Sequence, residues 1–146
     1  MTLWEKLQEI EDAIEGILKG VEFHVSVRSI IIGDRIRVGD ARPPGIWVFI
    51  NDSPIETAGG LSETWRLQFV VAATYMSSDL KEAKKNAQRL AATASQALMK
   101  NRTLNCTVRD VTRTNYSPGM PRIEGNKKIF GAGFSMTAVF RYTPEL

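Results

Sequence analysis

Two runs of alternating side chains dominate the pattern, and both predict long strands. From residue 65 to 75, Trp65, Leu67, Phe69, Val71, Ala73 and Tyr75 share one apolar face. Arg66, Gln68, Val70, Ala72 and Thr74 share a mixed one. A side-chain period of two sorts residues in this way only in an extended chain. From 129 to 142, Phe130, Ala132, Phe134, Met136, Ala138, Phe140 and Tyr142 form a second apolar face. Gly131 and Gly133 strip side chains from its reverse, which predicts a close backbone approach or a bend.

The period changes twice to that of a helix. Over 2–19, Leu3, Leu7, Ile10, Ile14, Ile17 and Leu18 form a stripe at three- and four-residue spacing. Thr2 and Glu5 have capping-box spacing, and Gly20 ends the run. Over 79–100, Asp79 is placed to cap and the inner stripe is Ala83, Ala87, Leu90, Ala94, Ala97 and Leu98. The small alanines predict a helix lying close to its support. That support is expected to be the preceding strand, because consecutive elements usually neighbour each other.

The remaining segments are shorter. Val21, Phe23, Val25 and Val27 alternate with polar residues and predict a half-buried strand, with Ile36 and Val38 resuming the alternation after Gly33-Asp34. Residues 39–45 predict a Pro-containing loop. Residues 46–50 are apolar on both faces and predict an interior strand. Residues 51–63 hold turn formers and no period, which predicts a long loop. Residues 104–116 predict a strand with Cys106 and Val108 inward, Arg109 and Arg113 outward and a bulge at Asp110-Val111. Residues 117–128 predict a second loop. The fold class is therefore α+β. A mostly antiparallel sheet of about four to five strands carries two main helices on one face, in a single domain over residues 1–146.

Composition narrows the chemistry. The net charge of +3 is mild, and Cys106 and His24 are the only residues of their kinds. No intrachain disulfide can form, and zinc would lack His and Cys ligands. A triad would need His24 as its base, and no motif surrounds it. Residues 125–128, Gly-Asn-Lys-Lys, lack the spacing of a phosphate loop and precede a strand. The expectation is no catalysis, no cofactor and no metal. No apolar run approaches the ~20 residues of a membrane span, and Met1 leads into an acidic amphipathic stretch, unlike a signal peptide. An intracellular chain, or one assembled inside a cell, is expected. Lys81, Lys84, Lys85, Arg89, Arg109, Arg113, Lys127 and Lys128 could contact a polyanion, although a solvated face is the simpler reading of the helix lysines. A small basic nucleic-acid-binding module is the alternative class, without a ribonucleoprotein or helix-turn-helix signature.

The order of elements is more informative. A first helix, a Pro-rich loop, the strand Gly45-Ile-Trp-Val-Phe-Ile50, a long Gly-containing loop and then strand–helix–strand–strand resembles the tail terminator (tail completion) proteins of long-tailed bacteriophages. The resemblance implies a virion protein, assembled in the host cytoplasm, that forms a closed ring of roughly six copies. The ring caps the tail tube protein, meets the head-completion (neck) protein, and lets genome DNA through its lumen. Other connector, neck or tube-like proteins share much of this order. The resemblance also implies that loop 51–63, with Asp52, Ile55, Glu56, Gly59, Gly60 and Leu61, orders on assembly, and that 117–128 is a second contact. Within such a ring, acidic Glu9, Asp12 or Glu15 of one subunit is expected near Lys81, Lys84 or Lys85 of the next. Arg109, Arg113, Lys127 and Lys128 are candidates to face the lumen and its polyanion.

Overall fold

A computed structural model describes residues 1–33, 42–119 and 121–144, with Ala58 described by its backbone alone. The elements run α1 (Leu3–Lys19), β1 (Ser29–Gly33), β2 (Gly45–Ile50), β3 (Ile55–Ala58), β4 (Ser62–Ser77), α2 (Leu80–Lys100), β5 (Asp110–Ser117), β6 (Arg122–Glu124) and β7 (Lys127–Tyr142). The class is α+β, and the seven strands form one sheet ordered β1-β2-β4-β7-β5, with β3 beside β4 and β6 beside β7. Among the described residues only β1 and β2 pair in parallel; the other pairings are antiparallel.

The strand count exceeds the expectation because two columns of the sheet are broken. β2 covers β4 from Thr74 to Phe69, and β3 covers the same edge from Trp65 to Ser62. Residues 51–54 bridge the break. Asn51 N–H donates to the Gln68 carbonyl at 2.7 Å, and Arg66 N–H donates to the Pro54 carbonyl at 3.1 Å. The Ser53 hydroxyl oxygen accepts Gln68 N–H at 2.9 Å. On the far edge, β5 and β6 likewise share one side of β7. The sheet is thus five columns wide, with the long β4–β7 pair at its centre running from Glu63↔Tyr142 to Ser77↔Lys128.

Alternation sorts the faces as the sequence requires. Phe69, Val71, Ala73, Phe130, Ala132, Met136, Ala138 and Phe140 are buried in one cluster with Ile10, Ile14 and Leu18 of α1. Ala83, Ala87, Leu90, Ala91, Ala94 and Leu98 bring α2 into that cluster, each with no exposed surface. The reverse face carries a small second cluster, Trp47 and Ala72 with Ile31, Phe49 and Val70. Thr2 and Glu5 form the expected capping box on α1. Asp79 caps α2 by accepting Lys81 N–H at 3.0 Å.

Several expectations need correction. Residues 51–63 are not without regular structure: 55–58 form β3, and a three-residue turn of Gly59, Gly60 and Leu61 joins it to β4. Residues 117–128 contain β6, closed on β7 by the two-residue turn Gly125-Asn126. The alternating stretch 21–28 is not a strand. Phe23, Val25 and Val27 pack on the core from one side, and alternation there records burial without a pairing partner. Residues 104–109 are not extended either. Leu104, Asn105 and Cys106 are left-handed, with φ of 46°, 58° and 67°, and reverse the chain after α2. Leu104 and Val108 are buried and Cys106 is exposed, so the inward pair is shifted. The irregularity in β5 falls between Arg113 and Asn115, beyond the expected Asp110-Val111. The expected alternation at Ile36 and Val38 and most of the loop at 39–45 lie outside the described residues.

At the β7 glycines a Cβ would meet the neighbouring strand β4, at 3.7 Å from Gly131 and 3.3 Å from Gly133; the tight approach is at Gly119 instead. A Cβ on Gly119, whose φ is +67°, would lie 2.1 Å from the Gly131 carbonyl oxygen. Gly119 therefore lies hard against the edge of β7, between the Ser117↔Gly133 and Arg122↔Ile129 pairs.

Candidate assembly surfaces

The β3–β4 hairpin projects because its turn is built from residues that need no neighbours. Gly59 and Gly60 have φ of 36° and 73°, and a Cβ on either would meet nothing within 4 Å. Leu61 beside them is 49% exposed and Ile55 at the start of the hairpin is 47% exposed. Glu56 is tied to the next strand through the Arg66 Nε, 3.4 Å away. Asp52 is exposed at the bridge between β2 and β3. Beneath the hairpin lies a cleft of about 520 Å³ between α1 and the sheet. Leu7, Ile50, Ile55, Trp65 and Leu67 give it an apolar lining, and Glu11 and Asp52 add carboxylates. Trp65 is held in place by stacking on Phe140, with ring centroids 5.6 Å apart.

The first helix is acidic, but its carboxylates are not equivalent. Asp12 is exposed, Glu15 pairs with Lys19, and Glu9 is half-buried with one oxygen enclosed and unpartnered. Lys81, Lys84 and Lys85 are exposed on the first turns of α2 and, among the described residues, form no ion pair. They project at the end of the molecule where Ser77 pairs with Lys128, so Lys127 and Lys128 of the β6–β7 turn share that end.

The four cations expected to face one lumen are not brought together. Arg109 donates its backbone N–H to the Val139 carbonyl at 2.7 Å and borders a groove with Lys6, Phe140 and Arg141. Lys128 is at the opposite end of β7, and eleven strand residues at about 3.3 Å each separate the two by roughly 36 Å. Arg113 does not point away from the helices. Its guanidinium reaches Ser95 Oγ of α2 at 3.2 Å and lies over the Phe134 ring, 5.5 Å from the centroid.

The strongest ion pair in the region is structural. Arg102 grips both oxygens of Asp110, at 2.9 and 3.0 Å, across the left-handed turn. The hydrogen bond from Arg102 holds the Asp110 carboxyl below its ordinary value, and the same bond raises Arg102. His24 is bound to an amide, not an acid. Its Nε2 is 2.7 Å from Asn86 Oδ1, and the Asn86 Nδ2 donates to the Glu82 carbonyl at 2.9 Å. Among the described residues no group of three His, Cys, Asp or Glu side chains is placed to hold a metal ion. No described helix is long and apolar enough to cross a membrane.

Ile123 is a surface feature the sequence reading passed over, as is Trp4 of α1, equally exposed at 69%. Ile123 lies on β6, cross-strand from Lys128. The Gly125-Asn126 dipeptide between two short β-prone runs is a two-residue hairpin signal that would have located it.

No family model matches the chain, and no curated protein matches it. Among solved structures, a chain described as part of the virion of a native gene transfer agent (GTA) particle aligns with a TM-score of 0.40 at 11% identity, covering 94% of this chain and 92% of that one.

Proposed function

We propose that the chain is a non-catalytic structural protein of a phage-like virion, a tail terminator that closes into a ring at the head-proximal end of the tail tube. One observation carries the reading most: the subunit exposes unlike surfaces suited to a head-to-tail contact. α1 presents Asp12 and Glu15, and the far end of the sheet presents Lys81, Lys84, Lys85 and Lys127. A ring is a closed heterologous assembly, in which one patch must fit a different patch on the neighbour. The element order of the tail terminator proteins, which this chain resembles, supports the same reading. In this arrangement Glu9, Asp12 or Glu15 of one subunit faces the α2 lysines of the next. The Gly59-Gly60-Leu61 tip meets the tube protein, another surface meets the head-completion protein, and genome DNA crosses the lumen without being read in sequence.

Sedimentation velocity over a wide concentration range tests this. A discrete species near six subunits, about the size such closed rings reach, with nothing larger is the expected result. An open-ended polymer would make the chain a tube protein. A chain that stays monomeric throughout would remove the support for a self-assembling ring. Lys84→Glu with Lys85→Glu should weaken the ring, and unchanged assembly would remove the α1–α2 pairing. A steep salt dependence of duplex binding would favour the nucleic-acid module instead.

A further inference from the structure

The charged surfaces of a ring need an apolar anchor, because interface energy concentrates in a few well-packed side chains and rim charges mainly steer the encounter. We infer that Ile123 on the β6–β7 hairpin of one subunit inserts into the cleft between α1 and the β2–β3 corner of the next copy. The inference rests on the ring reading above and names its contact.

The two surfaces complement each other in shape and in charge. The hairpin is narrow, three residue pairs closed by a two-residue turn. Ile123 stands 69% exposed on it and shares its face with Lys128, its cross-strand partner. Glu124 is engaged by Arg122, with 2.9 Å between Nη2 and Oε1, so the hairpin presents an apolar side chain with the Lys128 ammonium beside it. The cleft offers the converse. Leu7, Ile50, Ile55 and Trp65 line it, Asp52 supplies a carboxylate, and its volume of about 520 Å³ exceeds what one side chain fills. An isoleucine with the stem of Lys128 suits such a space, because the stem covers apolar surface while the ammonium group reaches Asp52.

Position makes the contact heterologous. The hairpin lies on the β5–β6 edge at the Ser77 end of β4, and the cleft lies under the β2–β3 column at its Trp65 end. One copy cannot satisfy itself, and a copy that fills its neighbour's cleft leaves its own cleft for a third. The twelve residues from Trp65 to Ser77 separate the two surfaces by roughly 40 Å along the strand. In a closed ring, contact surfaces related by rotation sit at one height along the axis. β4 and β7 therefore run around the circumference, not along the axis. The same approach brings the α2 lysines, which share the hairpin's end of the molecule, toward the acidic α1 beside the cleft.

Cysteine crosslinking in the full chain tests the contact. In a Cys106→Ser background, Ile123→Cys and Ile55→Cys are made singly and together, and treated with a short bismaleimide. The double variant should give a ladder of covalent oligomers that ends at the size of the ring. Either single variant should stay monomeric, because each thiol faces a partner that has none. Mixing the two single variants should give a one-to-one dimer and nothing larger. Dimers from the Ile123→Cys variant alone would mean that like surfaces meet, and would overturn the inference. A wild-type ring with no ladder from the double variant, provided that variant still forms the ring, would overturn this contact and leave the ring reading standing. A monomeric wild type with no ladder would overturn both.

Discussion

Ala94 lies on the face of α2 that rests on the sheet, and its replacement by leucine measures how closely the helix approaches. Leucine carries three more carbons than alanine. If the interface had room for them, their burial would stabilise the chain by about 2 kcal/mol, at ~0.8 kcal/mol per methylene. If it has none, displaced side chains and backbone cost about 1–3 kcal/mol. The structure selects the second outcome. Ala83, Ala87, Ala91 and Ala94 all have no exposed surface, in contact with the apolar face of β4 and β7. Ala94→Gly should also destabilise, by about 1 kcal/mol of helix propensity plus a smaller loss of burial. Both larger and smaller residues are thus unfavourable. The assay is urea unfolding at a concentration where the chain is monomeric, since assembly would add its own stabilisation. The leucine variant should lower the midpoint by about 0.5–2 M with m unchanged. A raised midpoint would refute the close approach and place the helix at a distance with space beneath it.

Two further outcomes follow from the backbone and from charge. Gly119→Ala should cost about 2–4 kcal/mol, combining left-handed strain with a clash against the Gly131 carbonyl, whereas Gly60→Ala, strained but in open space, should cost about 1–2 kcal/mol in the same urea experiment. Equal costs would mean that Gly119 does not press on the Gly131 carbonyl. Asp110, held by Arg102, has its folded value depressed, so its contribution to stability is complete above the ordinary value of 3.8 and is lost as pH falls through the lower folded value. Wild type should therefore lose stability on acidification below that value more steeply than Asp110→Asn; parallel pH profiles of the urea midpoint would count against the pair.

What the sequence made legible was whatever period and burial enforce together. The apolar faces of β4 and β7, both helices and the interior position of β2 followed from side-chain spacing, because each of these elements packs on the core over its length. β3 and β6 were missed for one shared reason. They are short, mostly exposed strands whose existence depends on a partner strand and a glycine turn, so no hydrophobic period marks them. The stretch from Leu104 to Cys106 erred in the other direction. Leu104, Cys106 and Val108 keep the apolar spacing of a strand, although Asn105 tolerates a left-handed backbone, and the turn is held by contacts the sequence does not order. Asn101 Nδ2 donates to Asn105 Oδ1 at 2.6 Å, and Thr107 Oγ1 donates to the Leu104 carbonyl at 2.7 Å. At the surface, charge type was legible but convergence was not, since Arg109 and Lys128 are separated by the length of a strand that brings neither toward the other.

The central pair of strands also sets a timetable for folding. Glu63 pairs with Tyr142 and Ser77 with Lys128, so β4 is made long before the strand that completes it. Such non-local pairing belongs to the slower class of folding topologies, which take about milliseconds to seconds. In the interval β4 has β2 on one side and an open row of backbone groups on the other, the kind of edge that captures another chain. α2 follows β4 directly and forms from local contacts, so it covers the apolar face before β7 arrives. The edge itself stays open until β7 is in place. A subunit truncated within β7 is therefore expected to aggregate instead of assembling, and competence for ordered assembly arrives only with the complete final strand.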